Sequence, residues 1–247
     1  MNELRENKEI NELLETLEEN GMFKEKNEVS ALVDYIGEME KTLSAMLTEM
    51  QEMRKEVNLI HDNTLRSKCE TLVQSADQKI RQSISVIVKA KENFVISAKS
   101  ALNIFKEKGK EALKDAVRKM KVPETLDMMG NFFHKLSESL RGSVENIKSA
   151  REEYIASKRH KTNARLLLFG KKPAEQQTVK NDKGILAKME TFFGKLARGF
   201  SSIESKANDL ADKIRVDRVK SSVKADLAFL NSETGKSMPT PSKNLAR

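Results

Sequence analysis

Apolar residues recur at intervals of three and four along most of the chain, the rhythm that lines one face of an α-helix. The clearest run is Val29, Leu32, Ile36, Met39, Leu43, Met46, Met50, Met53, Val57 and Ile60, whose steps alternate between 3 and 4 without a break. It predicts a packing seam of coiled-coil type about 48 Å long. Val33 and Leu47 widen that face sideways, which suits three or more packed helices better than a two-stranded zipper. The four methionines of the seam fill space adaptably and specify register weakly.

Other elements follow from the same rhythm. Ile10, Leu13, Leu14 and Leu17 form a short amphipathic helix that Asn20-Gly21 stops. A turn near Asp62-Asn63 reverses the chain, after which Leu65, Cys69, Leu72, Ala76, Ile80, Ile84 and Ile87 lead to Phe94, Ala98, Ala101 and Phe105. Gly109 loosens this helix before Leu113, Val117 and Met120 resume it, and Pro123 ends it and opens the next. There Leu126, Phe133, Leu140, Ile147 and Tyr154 recur every seven residues, with Met129, Leu136 and Ala150 alongside. The last long helix carries Met189, Phe193, Leu196, Phe200, Ile203, Ala207, Leu210 and Ile214, then less regularly Val219, Val223, Leu227 and Leu230.

These patterns divide the chain into an acidic N-terminal helical hairpin with the heptad seam (1–62), a basic long helix (63–122), a helix with a basic and apolar end (123–172), a linker (173–184), a C-terminal helix (185–230) and a tail without apolar period, expected to be disordered (231–247). The fold class predicted is all-α: an elongated antiparallel bundle of long helices with coiled-coil-like packing. Its wide seams close within one chain or are completed by a homodimer.

One stretch repeats. MGNFFHKL, Met129 to Leu136, returns sixty residues later as METFFGKL, Met189 to Leu196. On a helical wheel both place Met, the second Phe and Leu in one narrow sector, so each reads as a core-facing seam near the start of a long helix. The identities fade after Leu136 and Leu196, which favours two helices solving one packing problem over a duplication or a repeated ligand pocket.

Composition sharpens this picture. With 33% charged residues, no Trp, four Pro and ten Gly, the chain is unlike a compact enzyme of its 247 residues. Its charge is bipolar: residues 1–62 hold 7 Lys and Arg against 16 Asp and Glu, and the other 185 hold 38 against 21. Either the basic part meets a polyanion or the two parts meet each other. The single cysteine, Cys69, allows no intrachain disulfide, and no stretch reaches the roughly 18 apolar residues of a membrane span. The N-terminus is acidic and amphipathic, unlike a secretion signal, so the expected location is cytoplasmic.

Candidate chemistry is sparse. Phosphate-binding loops, nucleophile elbows, paired metal-binding histidines and C-x-x-C are absent. His61, His134 and His160 are scattered and lack i, i+4 carboxylate or histidine partners of convincing ligand type. No enzyme, cofactor, metal site or catalytic residue is expected. Ser201 to Glu204 matches a capping box but lies within a periodic run.

Two basic features remain. Lys106, Lys110, Lys114 and Arg118 form an i, i+4 row suited to tracking phosphates, although Glu107, Glu111 and Asp115 run beside it at pairing distance. Lys158, Arg159, Lys161, Arg165, Lys171 and Lys172 surround Leu166, Leu167, Leu168 and Phe169. That segment reads either as a surface for an anionic membrane or nucleic acid, or as a helix end whose cations complement the dipole while its leucines cover the core.

NELLETLEENGMFKEKNEVSALVDYIGEMEKTLSAMLTEMQEMRKEV, with the Asn20-Gly21-Met22 turn and the entry at Ala31 to Glu40, followed by VISAKSALNIFKEKGKEALKDAV, resembles a family of uncharacterised, highly helical proteins encoded on conjugative and integrative elements of gut Firmicutes. The resemblance covers most of the chain and fades after about Ala174. It implies a mobile-element setting and supplies no catalytic residues.

The function expected first is therefore that of a non-enzymatic interaction protein of a mobile element, presenting helical faces to a protein partner in transfer machinery or a host-defence complex. A nucleic-acid-binding accessory factor using the basic residues after 63 is the alternative, with the acidic hairpin as its shield. Attachment to a membrane surface through 157–172 is the third reading.

Overall fold

The structure, a computed structural model, describes residues 4–173 and 184–234. Six helices follow one another: α1 (Lys8–Glu19), α2 (Phe23–Asn58), α3 (Asn63–Lys108), α4 (Lys110–Lys119), α5 (Val122–Leu168) and α6 (Ile185–Thr234). No strand occurs among the described residues, and the fold is all-α, its helices packed into a bundle.

Local chemistry sets the ends. The Asn7 side chain accepts from the Ile10 amide at the start of α1, and Asp62 does the same for Leu65 at the start of α3. Gly21, at φ 68°, closes α1 with hydrogen bonds from its own amide to Glu18 and from Met22 to Leu17. Gly109 has φ 78° and ψ −166°, a conformation open essentially to glycine alone. It breaks the predicted helix 63–122 into α3 and α4. Pro123 lies in the first turn of α5, where its missing N–H costs no hydrogen bond.

Cross-helix pairs give the directions. Glu40 meets Lys91 and Asp77 meets Arg54, so α3 runs antiparallel to α2. On the other side Glu28, Glu38, Glu49 and Glu56 of α2 meet Arg218, Lys206, Lys195 and Lys188 of α6 in descending order. Helix α6 in turn runs antiparallel to α5, with Phe133 stacked on Phe200 at 5.7 Å, the Ser137 hydroxyl donating to the Ala197 carbonyl, and Arg151 paired with Glu190. The four long helices thus alternate in direction, and α2 lies between α3 and α6.

The seam expected on α2 is buried from Val29 to Val57, and Val33 is buried with it. Ile60, its last expected member, lies past the helix end and is only partly covered. The repeated stretches are both core: Met129, Phe133 and Leu136, like Met189, Phe193 and Leu196, are buried. They do not face each other, since Phe133 stacks on Phe200 and not on Phe193. Burial of such a side chain contributes about 1.5–3 kcal/mol.

Three expectations shift. On α3 the buried stripe includes Val73, Ser83 and Leu102, while Leu65, Leu72, Ile84 and Phe105 are only partly covered. On α5 burial stops at Ile147, and Ala150 and Tyr154 are exposed despite continuing the heptad. Helix α6 extends through Thr234, past the boundary placed at 230; residues 235–247 of the expected tail and 174–183 of the expected linker lie outside the described residues.

Part of the bipolar charge is spent inside the chain. In each of the four α2–α6 pairs the acid stands on α2 and the base on α6. They differ in environment. The Glu28–Arg218 contact is two-pronged and mostly out of water, with side-chain exposures of 10% and 25%, whereas Glu38–Lys206 is 57% and 56% exposed. Nearby, the Tyr35 hydroxyl donates to the Ile203 carbonyl at 2.9 Å, and burial pushes its pKa upward.

Two measurements of unfolding test this account. Arg218→Ala is expected to lower stability by about 2 kcal/mol, because it leaves Glu28 buried and unpaired, and Lys206→Ala by less than about 0.5 kcal/mol. Equal losses by denaturant titration contradict the assignment. In the same assay Gly109→Ala is expected to cost about 1–3 kcal/mol through its backbone angles. Gly142→Ala, inside α5 where an added methyl meets nothing within 4 Å, is expected to gain about 0.5–1 kcal/mol.

Candidate interaction surface

Helix α5 is 47 residues long, roughly 70 Å at 1.5 Å per residue. Its partner α6 begins at Ile185, only five residues before the Glu190 that pairs with Arg151. In this antiparallel arrangement α5 outruns α6 by about three turns, roughly 18 Å. No residue of α5 after Ile147 is buried. The last stretch, Ser157 to Leu168, is an arm beyond the paired part of the bundle.

The arm keeps the heptad and changes its chemistry. The stripe Leu126, Met129, Phe133, Leu136, Leu140 and Ile147, buried within the bundle, continues as Tyr154, Lys158, Lys161, Arg165 and Leu168 at steps of 4, 3, 4 and 3. The stripe turns cationic where the neighbouring helix ends, a composition that belongs in water and not against an apolar core. Lys158, Lys161, Arg165, Lys171 and Lys172 are exposed and Arg159 is partly so. None forms an ion pair among the described residues, and residues 157–172 contain no Asp or Glu.

At the tip, Leu167, Leu168 and Phe169 are 59%, 86% and 73% exposed, and Leu166 is partly covered. The reading in which these leucines cover the core is therefore corrected: no core extends this far along α5. Gly170, at φ 67°, closes the helix, its amide donating to the Leu167 carbonyl and that of Lys171 to the Leu166 carbonyl.

The second basic feature is dispersed. Gly109 separates Lys106 on α3 from Lys110, Lys114 and Arg118 on α4, so the four do not form one continuous row. Lys106 is bonded to Glu12 of α1 at 2.9 Å, and that contact holds the Glu12 carboxyl below its ordinary pKa. Lys110, Lys114 and Arg118 form no ion pair with Glu107, Glu111 or Asp115. The packing seam Val29 to Val57 is interior and offers no surface.

Elsewhere, a cleft of about 290 Å³ opens between α2, α3 and the α4–α5 corner, walled by Ile36, Phe94, Met120, Met128 and Phe132, with Lys89 at its rim. Among the described residues no group of three or more His, Cys, Asp or Glu side chains converges to hold a metal. Of the three histidines, His134 lies 2.9 Å from Glu204, a tie between α5 and α6. Buried Cys69 has its thiol pKa raised by burial, with Glu70 adding to the effect.

Sequence reasoning located the arm's residues but missed two features. One is the conversion of the core stripe to cations at Lys158. The other is the Gly170 closure, whose signal is glycine directly after a four-residue apolar run. The arm predicts a gradient along one helix. In hydrogen–deuterium exchange, amides of Lys158 to Leu168 are expected to exchange about tenfold or more faster than those of Leu126 to Ile147. Uniform protection along α5 contradicts this gradient.

Compared with known proteins, residues 6–247 match a family of unknown function, DUF6674, and the chain belongs to that family. No curated protein and no solved structure matches it.

Proposed function

We propose that this family member is a non-enzymatic interaction protein in which the bundle is a rigid mount and the arm of α5 is the binding surface. The observation that carries the reading is the coincidence, in one acid-free segment, of cations and exposed apolar side chains. Within the bundle, acids and bases tie helix to helix: Glu28 to Arg218, Glu40 to Lys91, Glu190 to Arg151 and Glu12 to Lys106. Over residues 157–172, the arm and the turn that ends it, six cations stand without acidic partners among the described residues, beside exposed Leu167, Leu168 and Phe169. Unspent charge next to exposed apolar surface is the composition of a binding face.

This contrast weighs against the broader nucleic-acid reading, in which the acidic hairpin shields a basic surface spread over everything after residue 63. The α2 carboxylates act as structural ties to α3 and α6, so removing residues 1–62 would expose apolar core as well as cations. The mobile-element setting implied by the sequence resemblance belongs to this reading as its context, with transfer machinery or a host-defence complex as the assembly served.

Velocity sedimentation of gently lysed cells tests the proposal. The intact chain is expected to travel with a large assembly, and a folded variant carrying Lys161→Glu, Arg165→Glu and Leu168→Asp to remain at the position of the free 28.0 kDa chain. Nuclease and mild detergent, applied separately, sort the assembly into nucleic acid, membrane or protein. Intact and variant chains sedimenting alike would sink the idea.

A further inference from the structure

The arm ends in a turn that is apolar on every side. At about 100° per residue, Leu166, Leu167, Leu168 and Phe169 are directed to four points spread around the helix axis. A helical face docked on a protein, or laid in a nucleic-acid groove, covers one side of such a turn and leaves the others in water. An apolar medium entered end-on covers all four.

Two further observations fit end-on entry. The helix terminus satisfies its own backbone, because the Gly170 and Lys171 amides donate to the Leu167 and Leu166 carbonyls at 3.0 and 2.9 Å. That removes two of the polar groups whose desolvation opposes burial of a helix end. Cations border the tip on both sides along the chain: Arg165 adjoins it, Lys161 and Lys158 follow one and two turns back on the same stripe, and Lys171 and Lys172 come directly after the turn. Arg165 to Lys158 spans roughly 10 Å along the axis, within about one Debye length.

We propose that the arm attaches the protein to an anionic lipid surface, with Leu166 to Phe169 inserted end-on into the interfacial zone and the bordering cations against the headgroups. The inference rests on the reading of the arm as the binding surface and names its partner. Four residues of helix reach about 6 Å, within the depth at which interfacial helices sit. The attachment is peripheral; no helix among the described residues is long and apolar enough to cross a membrane. Neutral lipid offers the apolar zone without the counter-charge, and each cation near an anionic surface strengthens binding about fivefold.

The chain contains no tryptophan, so Phe169→Trp in the full-length protein places a single reporter at the tip. It is presented with vesicles of phosphatidylcholine alone, with vesicles carrying about 30 mol % phosphatidylglycerol, and with a random-sequence DNA duplex. Emission from the introduced indole is expected to shift to the blue with the anionic vesicles only and to be quenched by brominated acyl chains. Adding Lys161→Glu and Arg165→Glu is expected to weaken binding by about 25-fold or more, and added salt to weaken it steeply. Flotation of the unlabelled wild-type chain on the same vesicles supplies a readout free of the substitution.

No shift and no flotation with anionic vesicles overturns the proposal. So does a shift with the duplex alone, which assigns the arm to nucleic acid, or vesicle binding without bromine quenching, which assigns adsorption to another surface. The broader reading fails separately, when the intact chain and the arm variant sediment alike from cells.

Discussion

Everything in this fold depends on the need of one helix to be covered on more than one side. The apolar face of α2 is wider than a single partner can shield, because Val33 and Leu47 flank the regular seam. An exposed face of that width would cost about 1.5–3 kcal/mol for each large side chain left in water. Coverage by α3 on one flank and α6 on the other is the answer within one chain, and α5 then completes the bundle through α6. The fold arises from satisfying α2, and the arm arises because α5 is longer than that task requires.

Much of the architecture was legible because the period of α2 is strict. Steps of 3 and 4 leave no freedom in which face is buried, and the ten residues from Val29 to Ile60 lie as expected except where the helix ends before Ile60. The stripe on α3 was harder to place. More of its steps are 4, so it drifts around the axis, and the residues that meet α2 come to include Val73, Ser83 and Leu102. Local pattern marks such a stripe but not which edge of it the neighbour covers. Gly109 was visible as a weak point, yet its positive φ and the resulting break follow from the corner that α4 makes between α3 and α5.

The candidate surface was legible as composition and illegible as exposure. Six cations around Leu166 to Phe169 fit both a helix end closing the core and a surface facing outward. What decides between them is the position of Ile185, where α6 begins relative to α5, and that is a tertiary relation no local window contains. Tyr154 shows the limit plainly: it continues the seven-residue repeat without fault and is 51% exposed, because a repeat describes a helix and not the length of its neighbour.

The four carboxylate–cation ties between α2 and α6 are unevenly spaced: Glu28, Glu38, Glu49 and Glu56 stand ten, eleven and seven residues apart, against Arg218, Lys206, Lys195 and Lys188. Soft methionines along the seam would tolerate one rod sliding past the other by a heptad. Unequal notches do not. After such a slip no more than two of the four acids, Glu56 facing Lys195 and Glu38 facing Lys213, would find a base, so the pair behaves as a key cut for a single depth of insertion.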